Sequence, residues 1–196
     1  MQTRANQKRS FKLIFVAVPF LLLLSAAFVQ AQIQDRPKPG PEQKKLEVFV
    51  GEWNYEGSLS DTPLGPGGKF AGKQTARMIL DGLFLESGGE DKGVYGGKEI
   101  VYKGVSIQWF DPITKTYLDH GYDNDGFAGK GVTTLTGNTW TSTGTQTDRK
   151  GKIYKSKSST TFSSDGKTRT TKTELSADDG KTWMPWYELT MKKVSK

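Results

Sequence analysis

Four glycines in the second half of the chain, Gly137, Gly151, Gly166 and Gly180, stand 14, 15 and 14 residues apart, each beside asparagine, aspartate or lysine. The segments between them are rich in threonine, serine and aromatic residues. Turn residues at that spacing, with strand-forming residues between them, describe a meander of hairpins with strands of about ten residues. No further residue signature recurs with the turns, so the rhythm is that of hairpins and not of a solenoid.

The first half carries the same signals. Trp53, Tyr55 and Leu59 share one face of a strand over 52–60, with Glu52, Asn54 and Glu56 opposite, the period of a half-buried ribbon. Val105, Ile107 and Trp109 repeat that alternation. Leu80-Asp81-Gly82-Leu83 sets Asp-Gly between two apolar runs and predicts a two-residue hairpin turn, because such a turn needs positive φ. A further turn falls at residues 111–115. Ahead of the strands, Leu46, Phe49 and Val50 fall at helical spacing after Pro41, predicting one short helix over 42–50 that ends at Gly51. Eight to ten strands joined by short turns leave exposed edges unless the ribbon closes on itself. The chain is therefore expected to be all-β, an up-and-down antiparallel barrel with one short N-terminal helix; a β-sandwich is the alternative.

Arg4, Lys8, Arg9 and Lys12 precede an apolar run from Leu13 to Phe28, and Val29 and Ala31 occupy the positions read at a cleavage site. The run is short of the roughly 20 residues that span a bilayer. Residues 1–31 are thus expected to be a signal peptide cut after Ala31, leaving an exported protein, periplasmic or extracellular, with no stable membrane span; an uncleaved anchor is the alternative. Residues 32–44, with Pro37, Pro39 and Pro41 among charged residues, read as a linker, and 45–196 as a single barrel domain.

Removing that leader leaves 24 basic against 21 acidic residues, with no lysine or arginine cluster longer than two. Such a balance argues against nucleic acid as a partner. The chain has no cysteine, which excludes disulfides, thiolate metal sites and cysteine nucleophiles, and its single histidine excludes two-histidine catalysis and zinc spacing. No motif asks for a cofactor. Residues 67–73 have the glycine-to-lysine spacing of a phosphate loop, but Gln74 stands where the magnesium-binding hydroxyl belongs. Asp123-Asn124-Asp125-Gly126 lacks the ligand set of a calcium loop and reads as a turn. Ser176-Ala177-Asp178-Asp179-Gly180-Lys181-Thr182-Trp183 matches the Asp-box pattern once, which describes a well-specified hairpin.

His120 shares a face with Leu118 and Tyr122, with Asp119 opposite. Its plain reading is a partly buried histidine with a hydrogen-bond partner; a functional reading makes it a proton donor, a haem-iron ligand or a ligand contact inside a barrel, and as a proton donor it would pair with a carboxylate such as Asp123 as acid and base.

A short helix followed by Gly51-Glu52-Trp53 resembles the opening of lipocalins, where the tryptophan closes the bottom of the barrel. The chain is also similar to a family of exported bacterial proteins known as domain of unknown function 1579. The similarity is carried by Leu46 with Gly51-Glu52-Trp53, by Ile79 to Leu85, by Gly104 with Trp109-Phe110-Asp111-Pro112-Ile113-Thr114-Lys115-Thr116-Tyr117, and by the last hairpin, and it covers most of residues 42–193. It implies a lipocalin-like barrel and no assigned activity. The chain departs from the family pattern at Leu83, where arginine or lysine is usual, and at His120, where tryptophan is more frequent.

A barrel of this size either fills with side chains or holds one small ligand. The aromatic supply, Trp53, Tyr55, Tyr102, Trp109, Tyr122, Trp140, Trp186 and Tyr187, suits an apolar cavity with polar tips. The expectation is a non-enzymatic module binding a small apolar or amphipathic molecule, with Trp53, Tyr55, Tyr102, Trp109, His120 and Tyr122 as candidate lining. The alternatives are a solid-core envelope protein whose partner is another protein, and a hydrolase or isomerase using His120.

Overall fold

The computed structural model describes residues 37–194. The leader, its cleavage after Ala31 and the first residues of the linker lie outside the described residues. Ten antiparallel strands form one closed barrel: β1 (Gly51–Leu59), β2 (Gly68–Ile79), β3 (Phe84–Tyr95), β4 (Lys98–Asp111), β5 (Thr116–Asp123), β6 (Ala128–Thr136), β7 (Thr139–Thr147), β8 (Ile153–Phe162), β9 (Thr168–Ser176) and β10 (Met184–Lys193). Every strand pairs with its neighbour in sequence, and β1 closes on β10. Closure removes both edges, which is what a meander of ten hairpin-linked strands requires.

The turns are set by residues that tolerate positive φ. Gly137, Gly151, Gly166 and Gly180 adopt φ of 61°, 80°, 68° and 91°. The expected Asp-Gly turn is longer than two residues. Ile79 pairs with Phe84, so Leu80–Leu83 form the connection, with Leu80, Asp81 and Gly82 at φ of 50°, 59° and 85° and Leu83 N–H donating to Leu80 O at 3.2 Å. Three consecutive left-handed residues need more room than a two-residue turn provides. At Gly82 a Cβ would also stand 2.8 Å from Pro39 Cγ.

The Ser176–Trp183 hairpin is built as its motif reads. Ser176 Oγ accepts from Gly180 N–H at 2.8 Å, Asp178 accepts from Thr182 N–H at 2.9 Å and Thr182 Oγ1 at 2.6 Å, and Trp183 Nε1 donates to Gly180 O at 3.1 Å. Residues 123–127 are likewise a turn: Asp123 Oδ1 accepts from Asp125 N–H at 2.9 Å and Phe127 N–H at 3.0 Å.

Ahead of the barrel, α1 (Pro41–Lys45) takes in residues read from the sequence as linker and continues as a 3-10 turn over Leu46–Phe49. Pro41 sits at the first helical position and Gly40 N–H donates to Gln43 Oε1 at 3.0 Å, so the start is pre-organised and capped. The helical segment plugs one end of the barrel. Leu46 is fully buried with Trp53, Leu85, Tyr117, Trp140, Phe162 and Met191, and Phe49 packs against them. Phe49 lies edge-on to Trp140 and to Phe162, each at 5.0 Å between centroids, and Tyr117 lies 4.7 Å from Trp140. Trp53 Nε1 donates to Phe49 O at 2.8 Å, and Tyr117 hydroxyl donates to Glu42 Oε2 at 2.9 Å. Two polar tips inside an aromatic cluster thus pin the plug to the wall while their rings are buried.

Candidate functional site

Strand parity decides which side chains face inward. On β1 these are Trp53, Tyr55, Gly57 and Leu59, the face expected from alternation. On β4 to β6 the polarity is inverted. The inward positions are Ile100, Tyr102, Gly104, Ser106, Gln108 and Phe110 on β4, Tyr117, Asp119, Gly121 and Asp123 on β5, and Gly129, Gly131 and Thr133 on β6, so that small and polar residues fill the inner face between the plug and the mouth. Val105, Ile107 and Trp109 face outward, so their alternation marks the outer surface and not the core. Leu118, His120 and Tyr122 share that outer face across the β4–β5 ladder, and Trp109 meets the His120 ring edge-on at 5.5 Å.

Above the aromatic plug the barrel is not solid. A cavity of about 620 Å³ opens toward the loop at 64–66 and the turn at 123–127. A smaller chamber of about 360 Å³ shares Tyr55, Gln74, Asp91, Tyr102 and Asp123 with it and reaches the β3–β6 wall. That wall is nearly bare: Gly89 pairs with Gly104, and Gly121 with Gly129. A Cβ on Gly104 or Gly121 would meet nothing nearer than 3.4 or 3.5 Å. Their lack of side chains therefore leaves space and is not forced by crowding.

Of the candidate lining residues, Tyr55 and Tyr102 line the main cavity. Trp53 is fully buried in the plug beneath it. Trp109 and His120 stand on the outer face and line neither space, while Tyr122, of the same parity and 56% exposed, borders the smaller chamber; register decides this, since a shift of one residue exchanges every side chain between faces. The same parity separates the catalytic pair: His120 faces outward while Asp123 faces inward and caps its own turn. Among the wider aromatic set, Trp186 and Tyr187 line the cavity, whereas Trp140 belongs to the plug.

Two polar centres in the cavity are not evident from the sequence. The first is Asp91. Tyr55 hydroxyl donates to Asp91 Oδ2 at 3.1 Å, while the buried Oδ1 has no hydrogen-bond partner among the described residues. Burial raises the Asp91 pKa above the ordinary carboxylate range, against the lowering effect of the Tyr55 and Tyr95 hydroxyls. Burial and the adjacent carboxylate push the Tyr55 and Tyr95 hydroxyls up as well, so both are neutral donors.

The second is Arg169, the one cation among the described residues that line the main cavity. Its guanidinium carbon sits 4.6 Å from the Trp53 ring centroid and 4.9 Å from that of Phe49, with Phe162 at 5.7 Å. Nε donates to Met191 Sδ at 3.0 Å, and Nη2 donates to Gln74 Oε1. Burial alone lowers its pKa to about 10, with no anion offsetting that effect. It remains charged at neutral pH, held by ring faces instead of a carboxylate.

Among the described residues no cluster of histidine and carboxylate side chains has the arrangement to hold a metal ion, and no helix is long and apolar enough to cross a membrane.

The family profile described as "Protein of unknown function (DUF1579)" matches residues 38–193. No curated protein sequence matches the chain. Among solved structures, the fold is similar to that of Rv2717c from M. tuberculosis, with a TM-score of 0.57 and 12% identity over 80% of this chain and 99% of that one. It is also similar to the S-type phycobiliprotein lyase CPES from Guillardia theta, with a TM-score of 0.51 and 10% identity over 79% of this chain and 93% of that one. At these identities the likeness is one of fold.

Proposed function

The chain belongs to the family of proteins of unknown function DUF1579, and because that membership brings a fold without an activity, we propose a function from the cavity: the barrel binds one small apolar or amphipathic molecule. The observation that carries this reading is the cavity of about 620 Å³ above a closed aromatic floor. Its size lies within the range of small-molecule sites. Its walls supply Tyr55, Phe70, Tyr102, Leu189 and Met191 as contact surface, and Asp91 and Arg169 as orienting groups. A solid-core structural role fits the open interior poorly.

Export of the mature protein belongs to the same proposal. It is supported by Arg4, Lys8, Arg9 and Lys12 ahead of the apolar run and by the small-residue site at Val29 and Ala31. N-terminal sequencing of the protein recovered from its source checks it: a start at Gln32 supports cleavage after Ala31, and a start at Met1 overturns it.

Ligand binding is tested by native mass spectrometry of the purified protein, together with titration of the neutral fluorescent probe N-phenyl-1-naphthylamine. A retained small molecule or a saturable one-to-one probe complex supports the reading. Absence of both overturns it.

A further inference from the structure

We propose that Arg169 is the head-group site of the cavity and that the molecule bound there is a monocarboxylic acid, its carboxylate on the guanidinium and its apolar body toward the open end. The proposal rests on the ligand-binding reading above and specifies its chemistry.

Arg169 is 5% exposed, lies at the foot of the cavity and has no acidic partner among the described residues. A buried cation without an anion is costly. The three aromatic faces around it recover part of that cost. Ring faces accept no N–H bonds of the ordinary kind, however, and hydrogen-bond acceptors must approach the guanidinium along its edge. Of the five N–H groups, one goes to the weak acceptor Met191 Sδ and one to Gln74 Oε1. Three N–H groups remain, two on Nη1 and one on Nη2, a donor set that matches the bidentate recognition of a planar two-oxygen acceptor such as a carboxylate.

The rest of the lining restricts the ligand to one negative charge. Among the described residues no lysine and no second arginine line the main cavity, and Lys103, which borders the smaller chamber, is paired with Glu90 at 3.1 Å, so a phosphate dianion at the foot finds a single cation. Toward the open end stand carboxylates instead. Asp91 pairs with Gly72, one inward position nearer that end than Gln74, and Asp123 and Asp125 line the mouth. A carboxylate is drawn to the foot of the cavity and repelled from its mouth, which orients the molecule with its head inward.

Isothermal titration of the wild-type protein with decanoic acid, decanol, methyl decanoate and decanedioic acid tests this, with Arg169→Gln as the matched variant. The acid is expected to bind about tenfold or more tightly than the alcohol and the ester, the margin of a hydrogen-bonded charged group. The diacid is expected to bind more weakly than the monoacid. In Arg169→Gln the acid-to-alcohol ratio should fall to about one, whereas a purely structural role for Arg169 would weaken all ligands together and leave the ratio unchanged. If the variant does not fold, the wild-type ratio decides alone. Equal binding of acid, alcohol and ester overturns the head-group site and leaves the cavity reading standing. Failure of all four to bind overturns the cavity reading and this proposal with it.

Discussion

Arg169 on β9 lies 4.6 Å over the ring of Trp53 on β1, reaching across β10, where Met191 accepts its Nε–H at 3.0 Å. Trp53 therefore has its ring beside two cations, Arg169 and, at 5.3 Å, Lys193 Nζ, its N–H on Phe49 O, and no exposed surface. It serves at once as the top of the plug and the floor of the cavity. Trp53→Ala is expected to destabilise the fold by about 3–5 kcal/mol, the range for emptying a buried aromatic site. Trp53→Phe keeps a ring beneath Arg169 and loses the N–H bond, so its cost should be smaller, about 1–2 kcal/mol. Urea unfolding of the two variants checks the order; equal losses would show that the ring face contributes nothing.

Gly121 offers a way to fill the cavity without breaking the barrel. Its backbone is ordinary strand, and an added Cβ would lie 3.5 Å from Ser106 Cβ and 3.6 Å from Val105 O, normal contact distances. Gly121→Leu should project into the chamber beside Asp119 and Tyr102. Removing a glycine from a strand interior is expected to leave stability unchanged or raise it by about 0.5–1 kcal/mol. Binding of N-phenyl-1-naphthylamine should fall at least about tenfold as the leucine takes up ligand volume. Thermal melting and probe titration on one preparation separate the two effects, and undiminished binding with a normal melt would place the probe outside the barrel.

The barrel was legible because its signals are local. Glycines beside asparagine, aspartate or lysine at a spacing of 14 or 15 residues mark the turns at Gly137, Gly151, Gly166 and Gly180, and alternation around Trp53 and Tyr55 identifies a strand without knowledge of its partner. The cavity lining is a different kind of information. On β4 to β6 apolar residues such as Val105, Trp109 and Leu118 face outward, because the inward positions are kept small or polar around the cavity. The assumption that the apolar face is the buried face therefore selects the wrong parity there. One signal was present in Gly104 and Gly121, which stand mid-strand where no turn needs them. Arg169 had none: in the run Thr168-Arg169-Thr170-Thr171-Lys172 nothing distinguishes the buried cation from the exposed one.

Asp91 should make stability fall as pH rises. Its native pKa stands above the unfolded value of 3.8 because burial disfavours the carboxylate. The protonated form is thus favoured in the native state, a contribution present below that value and lost as pH rises through the native pKa. Asp91→Asn is neutral throughout and keeps an acceptor for the Tyr55 hydroxyl. The variant is expected to be more stable than wild type at pH 7, with the difference shrinking as pH falls through the raised native pKa toward 3.8 and levelling off below it. Urea midpoints at several pH values check this, and a constant difference would remove the assigned cause.

Asp178 carries the opposite sign. Thr182 hydroxyl and N–H, followed by Ser176 Oγ, hold its carboxylate at about 2 against an unfolded value of 3.8. Ionised Asp178 therefore stabilises the β9–β10 hairpin above 3.8, and that contribution is lost as pH falls toward 2. Asp178→Asn replaces the charged acceptor with a weaker neutral one, so the variant should melt below wild type at pH 7 and approach it as the pH reaches 2. The local consequence is readable at Trp183, whose indole N–H is fixed on Gly180 O and whose ring lies 4.5 Å from Lys157 Nζ. A hairpin loosened at Asp178 should expose that ring and shift its fluorescence to the red at neutral pH. The β3–β6 wall is remote from this hairpin in the strand order, so probe binding that depends on Gly121 should be unchanged in the same variant. Loss of binding alongside the red shift would show that the hairpin shapes the cavity mouth as well as closing the chain between its last two strands.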